Sequence, residues 1–119
     1  MSLESVVTPL LSALVNDSVY LDAAPQGAAL PVIVYQRVGG KAIDYGDRTL
    51  PDKRNARVQV FVWAATRMQA MTLAEQIRSA LVGAAALPAV QTLGAPVSLY
   101  NDDVKLYGCR TDFSIWYLP

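Results

Sequence analysis

The run RVQVFVWAAT at residues 57–66 restricts this chain more than any other segment. Val58, Val60 and Val62 fall on one side of a two-residue period, while Arg57, Gln59, Phe61 and Trp63 fall on the other. A strand separates residues this way because its successive side chains point to opposite faces. The period then changes at once. Thr66 with Gln69 three residues on has the form of a capping box, and Ala70, Leu73, Ala74, Ile77, Ala80 and Leu81 follow a 3.6-residue repeat until Gly83. A half-buried strand that leads straight into an amphipathic helix needs one core shared by a sheet face and a helix stripe.

The remaining segments fit around that unit. Leu3, Val6, Val7, Leu10, Leu11 and Leu14 form an apolar stripe at helical spacing over residues 3–15, with Ser2 as N-cap and Asn16 and Asp17 as its end. Pro9 interrupts the stripe, since it lacks the N–H for a bond to Ser5; a long helix kinked there uses the whole stripe. Residues 24–38, APQGAALPVIVYQRV, start with turn residues and continue as a β-branched strand from Pro31 up to Gly39 and Gly40. A third strand is expected within residues 90–100, interrupted near Gly94 and Pro96. Residues 107–118 alternate again, with Tyr107, Cys109, Thr111, Phe113, Ile115 and Tyr117 opposite Arg110, Asp112, Ser114 and Trp116. The order α-β-β-α-β-β predicts an α+β domain spanning residues 1–119, with a mainly antiparallel four-stranded sheet and both helices on one face.

Composition limits what such a domain does. With 119 residues the chain can bury roughly two-thirds of its unfolded surface in a single core. Ten basic residues balance ten acidic ones, so the long-range field that attracts nucleic acids or anionic membranes is missing. No apolar run approaches a bilayer-spanning length and the start MSLESVV lacks a basic signal region, so a cytoplasmic protein is expected. Histidine is absent and Cys109 is the one cysteine, which removes the usual zinc and copper ligands and the usual base for a serine or cysteine nucleophile. Cys109 lies in a strand-like run and reads as a small core residue. Asp102 and Asp103 form part of a turn-like YNDD between strands, and the glycines at 39, 40 and 46 match no phosphate loop. No cofactor and no catalytic cluster are expected.

One segment is unusual. GGKAIDYGDRTLPDKRN, residues 39–55, is too long for a tight hairpin and carries Lys41, Asp44, Asp47, Arg48, Asp52, Lys53 and Arg54, a balance of +1. Loops of this length are commonly either solvated and flexible or functional. In the functional reading it is an arm, flexible in the free subunit, that orders on a neighbouring subunit, its charges setting register. The adjoining sheet face offers Arg57, Phe61 and Trp63 from one strand and Arg110, Asp112 and Trp116 from another. Aromatic residues with arginine are enriched at protein interfaces, although the two tryptophans serve equally well to finish the core.

The leucine-rich first helix, the approach through Pro25, Gln26, Gly27, Leu30 and Pro31, the run at 57–66 leading into a helix, and the closing DFSIW together resemble the tail-completion, or tail-terminator, family of long-tailed phages and prophages. The likeness covers nearly the whole chain. It implies a structural, non-enzymatic subunit that forms a hexameric ring at the head-proximal end of the tail tube. Such a ring stops tube growth and presents a surface to the head–tail connector protein. Its partners would be copies of itself, monomeric when isolated, together with the tail-tube protein and the connector. The setting would be the bacterial host cytoplasm during assembly and the virion tail afterwards. The long loop would lie near the ring interior or a tube subunit. Two other readings stay open: another morphogenesis part, such as a head-closure or minor tail protein, and a small ligand- or peptide-binding domain.

Overall fold

In the computed structural model, which describes residues 2–119, the elements run α1 (Leu3–Ser12), β1 (Val19–Leu21), β2 (Val32–Arg37), β3 (Arg54–Ala64), α2 (Arg67–Val82), β4 (Ala89–Thr92), β5 (Val97–Asn101) and β6 (Leu106–Tyr117). The strands form one mixed sheet of six, with β1, β2, β3, β6 and β4 side by side and β5 also on β6. The four-stranded antiparallel expectation is therefore corrected to six strands with one parallel pair, β1 on β2.

The long antiparallel pair β3–β6 is the spine, matched from Arg54 opposite Tyr117 to Ala64 opposite Tyr107. Twelve residues of strand span about 40 Å. That length accounts for much of the 53 Å longest dimension and for a radius of gyration of 15.1 Å, above the ~13–14 Å of a compact chain this long. Strands β4 and β5 lie end to end along the other edge of β6, against Phe113–Trp116 and Leu106–Arg110 respectively. They are one edge strand broken at residues 93–96, where Gly94 takes φ +146°, in the place expected from the sequence.

The alternation in β3 and β6 is realised as read. Ala56, Val58, Val60, Val62 and Ala64 are buried together with Cys109, Thr111, Phe113 and Ile115. Both helices contribute to that same core, α1 through Leu3, Val7 and Leu11 and α2 through Ala70, Leu73, Ala74, Ile77 and Leu81. Thr66 caps α2 by accepting from the Gln69 N–H at 3.2 Å, and Gly83 ends it. Helix α1 starts at its Ser2 cap and passes through Pro9, but it stops at Ser12 rather than residue 15. Turns follow, closed by the Asp17 N–H on the Ser12 carbonyl, with Asn16 and Asp17 in the left-handed region. Val15 is still buried, so the apolar stripe outlasts the regular helix.

Candidate functional site

With both helices on one side, no helix or strand among the described residues covers the opposite face of the sheet. Register places the side chains on it: Val34, Phe61, Arg110 and Val97 form one row, Gln36, Gln59 and Asp112 the next, then Arg57, Ser114 and Gln91. Phe61, Trp63 and Trp116 are all half-buried on this face. Trp63 and Trp116 thus stand outside the helix-side core, at opposite ends of the open face.

The charged residues divide into distinct groups. Arg57 is engaged within the chain: its Nη2 and Nε reach Asp112 Oδ2 at 2.8 and 3.2 Å, and Gln59 donates to the other carboxylate oxygen at 3.2 Å. Arg110 lines a shallow hollow with Arg57, Val97 and Asp112. Lys41, Asp44, Lys53 and Arg54 come together with Trp116 around a cleft of about 230 Å³ where the loop meets the end of the sheet. Asp47 and Arg48 are elsewhere, at the loop tip, and Asp52 is exposed beside the cleft.

The loop itself has structure. β3 starts at Arg54, because Arg54, Asn55 and Ala56 pair with Tyr117, Trp116 and Ile115, so the free arm is shorter than the sequence indicates. At the tip the Arg48 N–H donates to the Tyr45 carbonyl at 3.0 Å and the Tyr45 N–H to the Thr49 carbonyl at 3.1 Å. Asp47 Oδ1 accepts from the Thr49 N–H at 3.0 Å and its hydroxyl at 2.6 Å, and these bonds hold the Asp47 carboxyl below its ordinary range. Ile43, Tyr45 and Leu50 are 42%, 51% and 59% exposed, which gives the arm an apolar surface unused by this chain. Sequence reasoning chose the charges and passed over these three.

Two further polar groups escaped the sequence reading because each joins distant segments. Arg37 Nε and Nη2 meet both oxygens of Glu4 at 2.7 and 3.0 Å while Nη1 donates to the Tyr117 hydroxyl at 2.8 Å, tying α1 to the ends of β2 and β6. Arg67 donates to the Gly108 and Leu99 carbonyls at 2.6 and 2.7 Å, and its guanidinium carbon lies 5.2 Å from the centroid of the Tyr107 ring.

A solved chain from the structure titled "Virion of native gene transfer agent (GTA) particle" superposes with a TM-score of 0.66 at 19% identity, covering 99% of this chain and 96% of the other. That likeness establishes a shared fold. No curated protein matches the sequence. The family described as tail completion protein gp17 matches residues 6–118. The chain belongs to that family, and it is a structural phage tail-completion protein rather than an enzyme.

Proposed function

We propose that copies of this chain close into a ring, six subunits around, that caps the tail tube, ends its growth and presents a surface to the head–tail connector. The arm and the sheet end beside it, including Lys41, Lys53, Arg54 and Trp116, supply the contact to a neighbouring subunit or to the last tube ring. Assembly would take place in the host cytoplasm, leaving the protein in the virion tail.

The observation that carries this reading is the exposed apolar surface of the arm, Ile43, Tyr45 and Leu50, beside a cleft lined by lysine, arginine and tryptophan. Apolar area left in water is worth roughly 25 cal/mol per Å² when a partner covers it, and Trp and Arg are the residues around which interface energy concentrates. A head-to-tail contact of this kind closes into a ring when its rotation divides a full turn. The arm's charges are mixed and therefore suit it to setting register more than to long-range attraction.

Replacing Arg48, Lys53 and Arg54 together by alanine tests the reading. The variant should fold normally and give few complete particles, with overlong or headless tails in electron micrographs. Infectious particles at normal yield would remove the arm from the mechanism. Deletion of the gene separates the terminator from a head-closure role: overlong tails identify the terminator, whereas tails of normal length that fail only to join heads assign head closure.

A further inference from the structure

The base of the arm is fastened to the sheet through one side chain. Asn55 Oδ1 accepts from the Lys41 N–H at 2.9 Å, and its Nδ2 donates to Ser114 Oγ at 3.0 Å and to the Ile115 carbonyl at 3.4 Å. The amide thus joins the outgoing limb of the arm to β6 across the start of β3. Gly40 makes the approach possible: it takes φ +140°, and a Cβ there would lie 2.6 Å from the Asn55 carbonyl oxygen and 2.8 Å from the Ala56 Cα. Two backbone bonds complete the base, from Val38 to the Arg57 carbonyl and from Arg57 to the Gly39 carbonyl, both 2.8 Å. The tip is closed separately by Asp47 and Thr49.

We infer that Asn55 is the positioning residue of the arm, holding it at a set exit angle in the free subunit, so that the apolar tip is presented before any partner arrives. This replaces the expectation of an arm that is disordered until it docks. A segment that must be ordered on binding lowers affinity by the entropy it loses, and a segment held beforehand avoids that loss. Asn55 is suited to the task because its carboxamide accepts through one atom and donates through another; aspartate and alanine cannot do both, and serine has only a single, nearer oxygen for the two sides. The consequence for assembly rests on the arm contact proposed above; the order of the arm in the free subunit does not.

Amide hydrogen exchange on the isolated subunit tests the clamp directly. The Lys41 N–H of the wild type should be protected, and Asn55→Ala should speed its exchange by about tenfold or more, the equivalent of one hydrogen bond. Amides of Val58, Val60 and Phe113 in the same sample should keep their protection, which a general loss of stability would not allow. Gly40→Ala, whose methyl group meets β3 backbone, should release the same amide by a different route. Free exchange of Lys41 in the wild type, or equal exchange in Asn55→Ala, overturns the inference. In tail completion, Asn55→Ala should need several-fold more subunit for the same yield and recover fully at high concentration. A defect that concentration does not relieve would also overturn it. Normal completion by the Arg48, Lys53 and Arg54 variant, with the exchange result intact, would refute the arm contact and leave the clamp standing.

Discussion

The indole of Trp63 lies against Gly108, its cross-strand partner on β6, so closely that a Cβ at position 108 would sit 2.7 Å from Trp63 Cε3 and 2.8 Å from Cζ3. The glycine is the floor on which the aromatic ring rests, on the face of the sheet away from the helices. Gly108→Ala should therefore cost about 1–3 kcal/mol, the usual range for overpacking. Chemical denaturation of that variant, of Trp63→Ala and of the double variant checks the cause. The alanine at 108 should cost much less once the indole is gone, and strict additivity would show that the two side chains do not meet.

Arg67 stands at the start of α2 and reaches two carbonyls of the β5–β6 hairpin, Leu99 and Gly108, with Tyr107 under its guanidinium. Arg67→Lys keeps the charge and loses the fork that serves two acceptors at once. Hydrogen bonds from charged donors contribute about 1.5–3 kcal/mol, and the partial exposure of this group places the expected loss near the lower figure. The β5 amides should exchange faster than those of β2 in the variant. Uniform loss across the sheet would mean that Arg67 acts on global stability and not on the hairpin.

How far the sequence reveals the fold depends on how many residues share one constraint. β3, β6 and α2 are legible because each has a long run with one face in the core, and Val58, Val60, Val62, Phe113 and Ile115 repeat the same message. β1 is not legible. Val19–Leu21 is three residues long, too short for a period, and it exists because the Ile33 N–H bonds to the Ser18 carbonyl and the Asp22 N–H to the Tyr35 carbonyl, partners supplied from far along the chain. The arm is half legible. Its length and charges mark residues 39–55, but the Asn55 clamp depends on Ser114 and Ile115, which no local pattern connects to Lys41.

The pairing of Glu4 with Arg37 predicts an acid-sensitive contribution to stability. Hydrogen bonding to Arg37 is the largest cause that holds the Glu4 carboxyl below its ordinary value of 4.5. A carboxyl whose value is lower in the folded than in the unfolded chain stabilises the fold fully above the unfolded value, and that stabilisation disappears as pH falls through the folded one. The two side chains are 28% and 40% exposed, so solvent screening keeps the contribution within about 1 kcal/mol. Unfolding free energy measured from about pH 5 downward should fall less steeply for Glu4→Gln than for the wild type. Parallel curves would show that the ion pair contributes nothing to stability.

Pro9 sets two energies against each other within α1. It sits exposed in the interior of the helix, where it cannot donate to the Ser5 carbonyl and crowds it, a position about 3 kcal/mol worse than alanine. Yet Leu3, Val7 and Leu11 are wholly buried on both sides of it, and each fully buried leucine or valine contributes roughly 1.5–3 kcal/mol. Burial therefore outweighs the proline, and the helix continues through it. Pro9→Ala should restore the missing N–H without touching the core, because the side chain faces solvent. Proline also restricts the unfolded chain, which offsets about 0.4–1 kcal/mol of the gain. The expected result is a variant more stable by about 2 kcal/mol, read as a higher denaturant midpoint with an unchanged slope. An unchanged midpoint would mean that α1 bends around Pro9 enough to relieve the Ser5 carbonyl already, so that the crowding invoked here is absent.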